Sequence, residues 1–188
     1  MKGENKMEAL RKQEVSIQAA GEFKVGDQIE VGKYTATCQK VTKKGALFLL
    51  DQYLDEPFKM NQQNTNEGGY EASDLRRALQ KEAVLDIFSS VRGMMVPFKN
   101  GDLLRIPYAE EFFGDVDGYE SSGKKQWPLM KDRTNRIAIR EREAYEWGWL
   151  QNKVKSSSAD FTGVDSYGYT YYDYASNSCG VRPVFRLG

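Results

Sequence analysis

Ala46 to Leu50 form a continuous apolar run closed by Gly45 on one side and Asp51 on the other. Five residues are too few for a buried helix and fit one buried strand, so this run sets the grain of the fold. Before it, "FKVGDQIEVGKYTATCQKV" alternates apolar and polar residues, with Gly26 and Gly32 at turns, which predicts two short strands. After it, "EGGYEASDLRRALQKEAVLDIF" offers Ser73 as a helix N-cap, and Leu75, Leu79, Ala83 and Ile87 recur at four-residue spacing. One helix laid on the core is expected there. "PYAEEFF" predicts a second short helix beginning near Pro107, with Glu110 and Glu111 in first turns that favour acidic groups. Gly114 to Arg136 is rich in Gly, Ser, Asp and Lys and is expected to be a long loop. "RIAI" and "EWGWL" suggest strands, with the charged "REREAYE" between them unassigned. "ADFTGV", "DSYG" and "YTYYDY" predict a hairpin whose type I turn has Asp165 first and Gly168 fourth. "VRPVFRL" then ends the chain as a last strand. Short strands outnumber two modest helices and no repeat is visible, so the expected class is α+β with much irregular chain.

At 188 residues the chain suits one core. The expected division is a polar, flexible or helical segment over 1–22 and a single domain over 23–188. Lysine plus arginine and aspartate plus glutamate both number 27, so no overall field draws the protein to nucleic acid or an anionic membrane. No apolar run approaches the roughly 18 residues of a membrane helix, and residues 1–20 lack a signal-peptide core, so neither membrane insertion nor a cleaved signal is expected. Histidine is absent, which removes Ser-His-Asp and Cys-His catalysis and the usual zinc sites. Cys38 and Cys179 form no CxxC pair. Asp115, Asp117 and Glu120 in "DVDGYE" are thin for a calcium cage, so no metal or other cofactor is expected.

The stretch "DSYGYTYYDYASNSCGVRP" places five tyrosines among Ser, Gly, Asp, Thr and Asn. Such a mixture suits a contact surface, because tyrosine gives a large amphipathic contact at low entropic cost while the small polar residues adapt their hydrogen bonds. Strand alternation can bury only about half of the tyrosines. The expectation is that Tyr169 and Tyr171 pack inward, while Tyr167, Tyr172 and Tyr174, with Asp165 and Asp173, face a protein or glycan ligand.

"GKYTATCQKVTKKGALFLLDQYLDEPFKMN", "YEASDLRRALQ", "IPYAEEFFG", "WGWLQ" and the closing "ASNSCGVRPVFRL" appear in an order and spacing that resembles an uncharacterised domain family of gut Firmicutes and their phages. That family looks like a branch of the C-type-lectin-like fold, which includes the formylglycine-generating enzymes and the variable proteins of diversity-generating retroelements. The resemblance covers Phe23 to Leu187 and is most specific at Gly180-Val181-Arg182-Pro183. It implies a structural role for Gly180, Arg182 and Pro183, with Arg182 held by carbonyls or a carboxylate, and a location in the cytoplasm or a phage virion. Self-association is compatible with it. Members often carry two adjacent tryptophans followed by Leu-Arg-Ser-Pro, where this chain has Trp147-Gly148-Trp149-Leu150-Gln151-Asn152.

The formylglycine-generating relatives use a pair of cysteines near the C-terminus, and here Cys179 stands alone. The Glu-Pro-Asn and Trp-Asn-Asp sugar motifs of calcium-dependent lectins are missing. The chain is therefore expected to be a non-catalytic recognition domain. The alternative is a divergent enzyme of formylglycine-generating or carbohydrate-acting type, with Cys179 or the acidic loop as its site. Fifty residues are Met, Trp, Gln, Lys or Glu, yet none lies among the last thirty-three, Ser156 to Gly188. Those five cannot arise when the first two bases of an asparagine codon are randomised, which is how retroelement-diversified proteins vary.

Overall fold

The computed structural model describes residues 22–140 and 146–188. All but the last residue of the flexible or helical segment expected over 1–22, and most of "REREAYE", lie outside the described residues. The described chain is α+β, with mostly antiparallel strands and few short helices.

The first sheet contains β1 (Gln28–Val31), β2 (Tyr34–Thr42) and β3 (Gly45–Leu50), each antiparallel to the next. Its fourth strand is the last of the chain, Val184–Leu187, antiparallel to β3. With strands on both sides, β3 is central, and every one of its residues is buried. Ala46, Phe48 and Leu50 face one apolar cluster with Leu75, Leu79, Phe88 and Phe185. Leu47 and Leu49 face a second with Phe112, Trp127, Leu150 and Val164. Burial on both faces is why this strand reads as a continuous apolar run.

The Ser73 hydroxyl accepts from the Arg76 amide at 3.0 Å, capping α1 (Asp74–Leu79). The single helix expected over this region is interrupted. Gln80 turns its side chain onto the neighbouring loop, donating to the Leu104 carbonyl at 2.8 Å and accepting from the Leu103 amide at 2.9 Å. A new turn, α2 (Glu82–Leu85), follows out of phase. Val84, Leu85 and Phe88 therefore reach the core, while Ala83 is exposed.

Helix α3 (Ala109–Phe113) forms where expected, two residues beyond Pro107. Both acids of its first turn are buried and partnered. Glu111 takes a two-point ion pair from Arg105 at 2.7 Å on each oxygen and also accepts from the Tyr108 amide. Glu110 accepts from the Ser122 hydroxyl and from the Asn152 side-chain amide, each at 2.8 Å.

Phe58–Lys59 forms β4. Beyond the long loop, β5 (Gly148–Lys153), β6 (Asp160–Val164) and β7 (Thr170–Tyr174) make a three-stranded antiparallel sheet in that order. The short strand β8 (Ser178–Cys179) pairs with β4, and the closing strand of the first sheet is β9. "RIAI" is not a strand; Ile137 to Ile139 run extended, and the Ile139 carbonyl accepts from the Tyr53 amide. Gln151 and Asn152, in the Trp147–Asn152 run, are both buried. Gln151 donates to the Ile106 carbonyl at 2.6 Å, and Asn152 accepts from the Ala109 amide at 2.7 Å, tying α3 to β5. No helix among the described residues is long and apolar enough to cross a membrane.

Candidate functional site

The tyrosine-rich stretch forms the turn and outer strand of the second sheet. Asp165 fixes the turn. Its carbonyl accepts from the Gly168 amide at 3.1 Å, and its carboxylate accepts from the Tyr167 and Tyr169 amides at 2.9 and 2.8 Å. Gly168 has φ +82°, and a Cβ there would lie 2.7 Å from the Arg133 carbonyl, so only glycine suits both conformation and space. From the turn, Val164 pairs with Thr170 and Asp160 with Tyr174. Strand β6 is buried from Phe161 to Val164, whereas β7 pairs on one side only and, among the described residues, has no strand on its other edge.

Two arginines dock the turn onto the loop beneath it. Arg133 donates to the Tyr167 carbonyl and sets its guanidinium 4.7 Å from the Tyr169 ring centre. Arg136 donates to the Gly168 carbonyl at 3.4 Å and to the Met130 carbonyl at 2.8 Å. The tip is thus tied to the underlying loop at the carbonyls of both Tyr167 and Gly168.

Tyr167, Tyr172 and Tyr174 are 68, 62 and 55 % exposed. Tyr169, expected to pack inward, is 56 % exposed. It precedes the first residue of β7, so the alternation of the strand does not govern it, and Arg133 offers its ring a cationic surface instead of a core. Tyr171 is half-buried. Its ring lies beside Gly163, the residue opposite it in β6, and 4.3 Å from the Trp147 ring. On its other side it stacks on Tyr172 at 5.9 Å and 13°. Trp147 is itself 43 % exposed, so three rings run in series across the sheet edge.

The two aspartates expected on the ligand face serve the backbone. Asp165 is occupied by the turn. Asp173 accepts from its neighbour's amide at Tyr174 and from Asn177, and its second oxygen lies 3.6 Å from the Cys179 sulfur. Both are half-buried. The exposed face is therefore aromatic and hydroxyl-bearing, with Tyr167, Tyr169, Tyr172, Tyr174 and Trp147 as its large groups. Sequence reasoning missed Trp147 and the orientation of Tyr169. The Trp147-Gly148-Trp149 run is the sequence signal for the former.

The two alternative centres are a buried thiol and an ion-paired loop. Cys38 and Cys179 are free and buried, and burial, with Asp173 adding to it, pushes the Cys179 thiol well above its ordinary value. A neutral thiol is a poor nucleophile. In the acidic loop, Glu120 pairs with Lys153 at 3.0 Å, and among the described residues no three of His, Cys, Asp and Glu gather as metal ligands would.

The Gly180-Val181-Arg182-Pro183 run lies in the interior. Gly180 packs on the Tyr53 ring, where a Cβ would come within 2.5 Å. Buried Arg182 donates to the Leu50 carbonyl at 2.8 Å and to the Asn135 and Arg136 carbonyls at 3.1 and 3.3 Å. The Pro183 carbonyl accepts from the Leu50 amide at 3.1 Å. Set against protein-family models, curated proteins and solved structures, the chain finds no match.

Proposed function

We propose that the protein is a non-catalytic recognition domain of C-type-lectin-like architecture that binds a protein or glycan through the aromatic face of its C-terminal hairpin. The observation that carries this reading is the exposure of four tyrosines, each more than half open to solvent, along the turn and outer strand of the second sheet, on a tip clamped by Arg133 and Arg136 and joined to the Trp147 ring through Tyr171. A domain that hides forty apolar side chains among its described residues has no folding reason to keep these rings in water. Large aromatics on a preorganised scaffold lose little entropy on binding. The lectin-like assignment draws support from the return of the last strand to the first sheet and from a separate second sheet that carries the hairpin. The absence of Met, Trp, Gln, Lys and Glu from Ser156 onward favours a retroelement-diversified variable protein of phage or bacterial origin.

The test is a paired measurement on Tyr172→Ala/Tyr174→Ala. Screening the wild type against immobilised glycans and host surface proteins identifies ligands, and the double variant should lose them while its melting temperature stays close to wild type. Ligands retained at full strength by a folded double variant would refute the assignment of the face. The diversification element has its own test in the flanking DNA: a reverse transcriptase gene with a near-copy of the 3′ end, differing at adenines, is expected, and its absence would remove that element alone.

A further inference from the structure

A cavity of about 590 Å³ opens between the first sheet, α3 and the loops at 98–100 and 124–127, and it shares no lining residue with the tyrosine face. Its wall is an alternating stack of cations and rings. The Arg186 guanidinium lies 5.0 Å from the Phe98 ring centre, and Arg105 lies 5.1 Å from Phe98 and 5.1 Å from Tyr108. Lys124 continues the stack at 5.1 Å from Tyr108. Each ring presents its negative face to these cations, so three positive groups are held close together where their mutual repulsion would otherwise spread them.

Charge compensation within the stack is partial. Glu111 neutralises Arg105 with two 2.7 Å bonds. Glu71, the other carboxylate of the lining, is engaged by Arg76 and Asn100. Lys40, Lys99, Lys124, Lys125 and Arg186 carry no ion pair among the described residues, and all five line the cavity. Among the described residues the Arg186 side chain makes one hydrogen bond, to the Pro97 carbonyl at 3.3 Å, and its Nε is buried without a partner. Burial and the nearby charge of Arg105 both disfavour the protonated form of Arg186. In a chain whose formal net charge is +0, so many uncompensated cations around one concavity are a local feature that folding alone does not require.

We infer that this cavity binds a small molecule bearing two or more phosphate groups, with Arg186 and Lys124 as its principal contacts. An anionic oxygen would take the Arg186 Nη2 donors, which no hydrogen bond among the described residues uses. The planar guanidinium suits a phosphate's two-point geometry, while the lysines act as point charges at the rim. The volume is that of a small-molecule site, within the range of roughly 300–1,000 Å³. Two groups are specified because the uncompensated charge is distributed from Arg186 to Lys124 and Lys125 across the whole stack.

The experiment is calorimetric titration of the full chain with inorganic triphosphate at low salt, with orthophosphate, citrate and a short single-stranded oligonucleotide as separate arms. Saturable one-to-one binding of triphosphate is expected, weakening as salt is raised because the contacts are charge pairs. Lys124→Ala/Lys125→Ala should weaken it by about tenfold or more, the size of effect that removing close charge pairs has on binding. Lys59→Ala/Lys81→Ala, outside the cavity, should leave it unchanged. Arg186→Gln should weaken it further, and because the lysine pair lies at the rim, the test stands even if the Arg186 variant fails to fold. Absence of saturable triphosphate binding, or equal losses in both lysine pairs, would overturn the proposal. Oligonucleotide bound in place of triphosphate would overturn it in favour of a nucleic-acid backbone, and citrate bound in preference would overturn the phosphate assignment. Neither result bears on the tyrosine face, whose double alanine variant should bind triphosphate as the wild type does.

Discussion

Truncating Arg182 to alanine should destabilise the protein by on the order of 3 kcal/mol. The side chain joins the end of β3, at the Leu50 carbonyl, to the Asn135 and Arg136 carbonyls of the loop beneath the hairpin. Alanine leaves three carbonyls without their charged donor, and each desolvated acceptor costs about 1 kcal/mol or more. Loss of the contact with the Phe112 ring, 5.7 Å from the guanidinium, adds a fraction of a kcal/mol. Water entering the vacated space and the relieved desolvation of the cation offset part of this. For a domain of this size, about 3 kcal/mol corresponds to a fall of roughly 6–12 °C in melting temperature. Urea denaturation at pH 7, followed by circular dichroism, measures the difference directly. Arg182→Met separates bonding from packing, since it keeps most of the apolar stem and removes every donor. Arg182→Lys should recover only part of the loss, because one ammonium cannot reach carbonyls on opposite sides. An alanine or methionine variant within about 1 kcal/mol of wild type, the range usual for surface positions, would refute the reasoning.

Burial pushes the Glu110 carboxyl up, but bonds from Ser122 and Asn152 outweigh it and hold the group below its usual value. A depressed folded-state value means stability that is present above the unfolded value near pH 4.3 and lost as pH falls through the folded one. Wild-type stability should therefore drop below about pH 4, and Glu110→Gln should flatten that limb; parallel curves would count against it. Gly180→Ala should cost about 1–3 kcal/mol, because buried Tyr53 cannot yield to a Cβ 2.5 Å from its ring, while Gly93→Ala, with open space at that position, should be neutral in the same melt. In the native protein a thiol reagent should modify Cys179 slowly, with rapid labelling only after denaturation; fast native labelling would revive the alternative of a cysteine-dependent enzyme. The Tyr172→Ala/Tyr174→Ala variant should stay within about 1 kcal/mol of wild-type stability, and a larger loss would show that those rings support the sheet.

Local patterns made much of the fold legible. The apolar run at Ala46 to Leu50, the alternation before it, the Ser73 cap and the Asp165 to Gly168 turn each depend on residues within a few positions of one another. Each forms as its sequence predicts. The errors arise where a distant partner decides. Four-residue spacing from Leu75 to Ile87 promised one helix, but Gln80 finds better bonds on the Leu103–Leu104 backbone and shifts the phase of the turn at Glu82–Leu85. "RIAI" has the composition of a strand and lacks a ladder to join, making a single backbone bond to Tyr53 through Ile139.

The same division governs the two candidate surfaces. Along β7 the period of two locates Tyr172 and Tyr174 correctly, since both lie inside the strand whose register the turn fixes. It fails one residue before the strand, at Tyr169, where the chain has not yet entered the ladder and Arg133, thirty-six positions away, decides where the ring goes. The cationic cavity lies wholly beyond such reasoning. Its unclaimed charges come from Lys40, Lys99, Lys124, Lys125 and Arg186, which no window of the sequence contains together, and the balance of 27 positive and 27 negative side chains hides them. Net charge is a sum over residues and carries no positions, whereas binding responds to potential, which depends on distance and on what neutralises each charge. The expectation of no partner drawn by bulk charge and a strongly cationic concavity are compatible, because the two describe the same charges at different ranges. Beyond a Debye length the protein presents little field; inside the cavity an anion would meet five cations that no carboxylate among the described residues has already claimed.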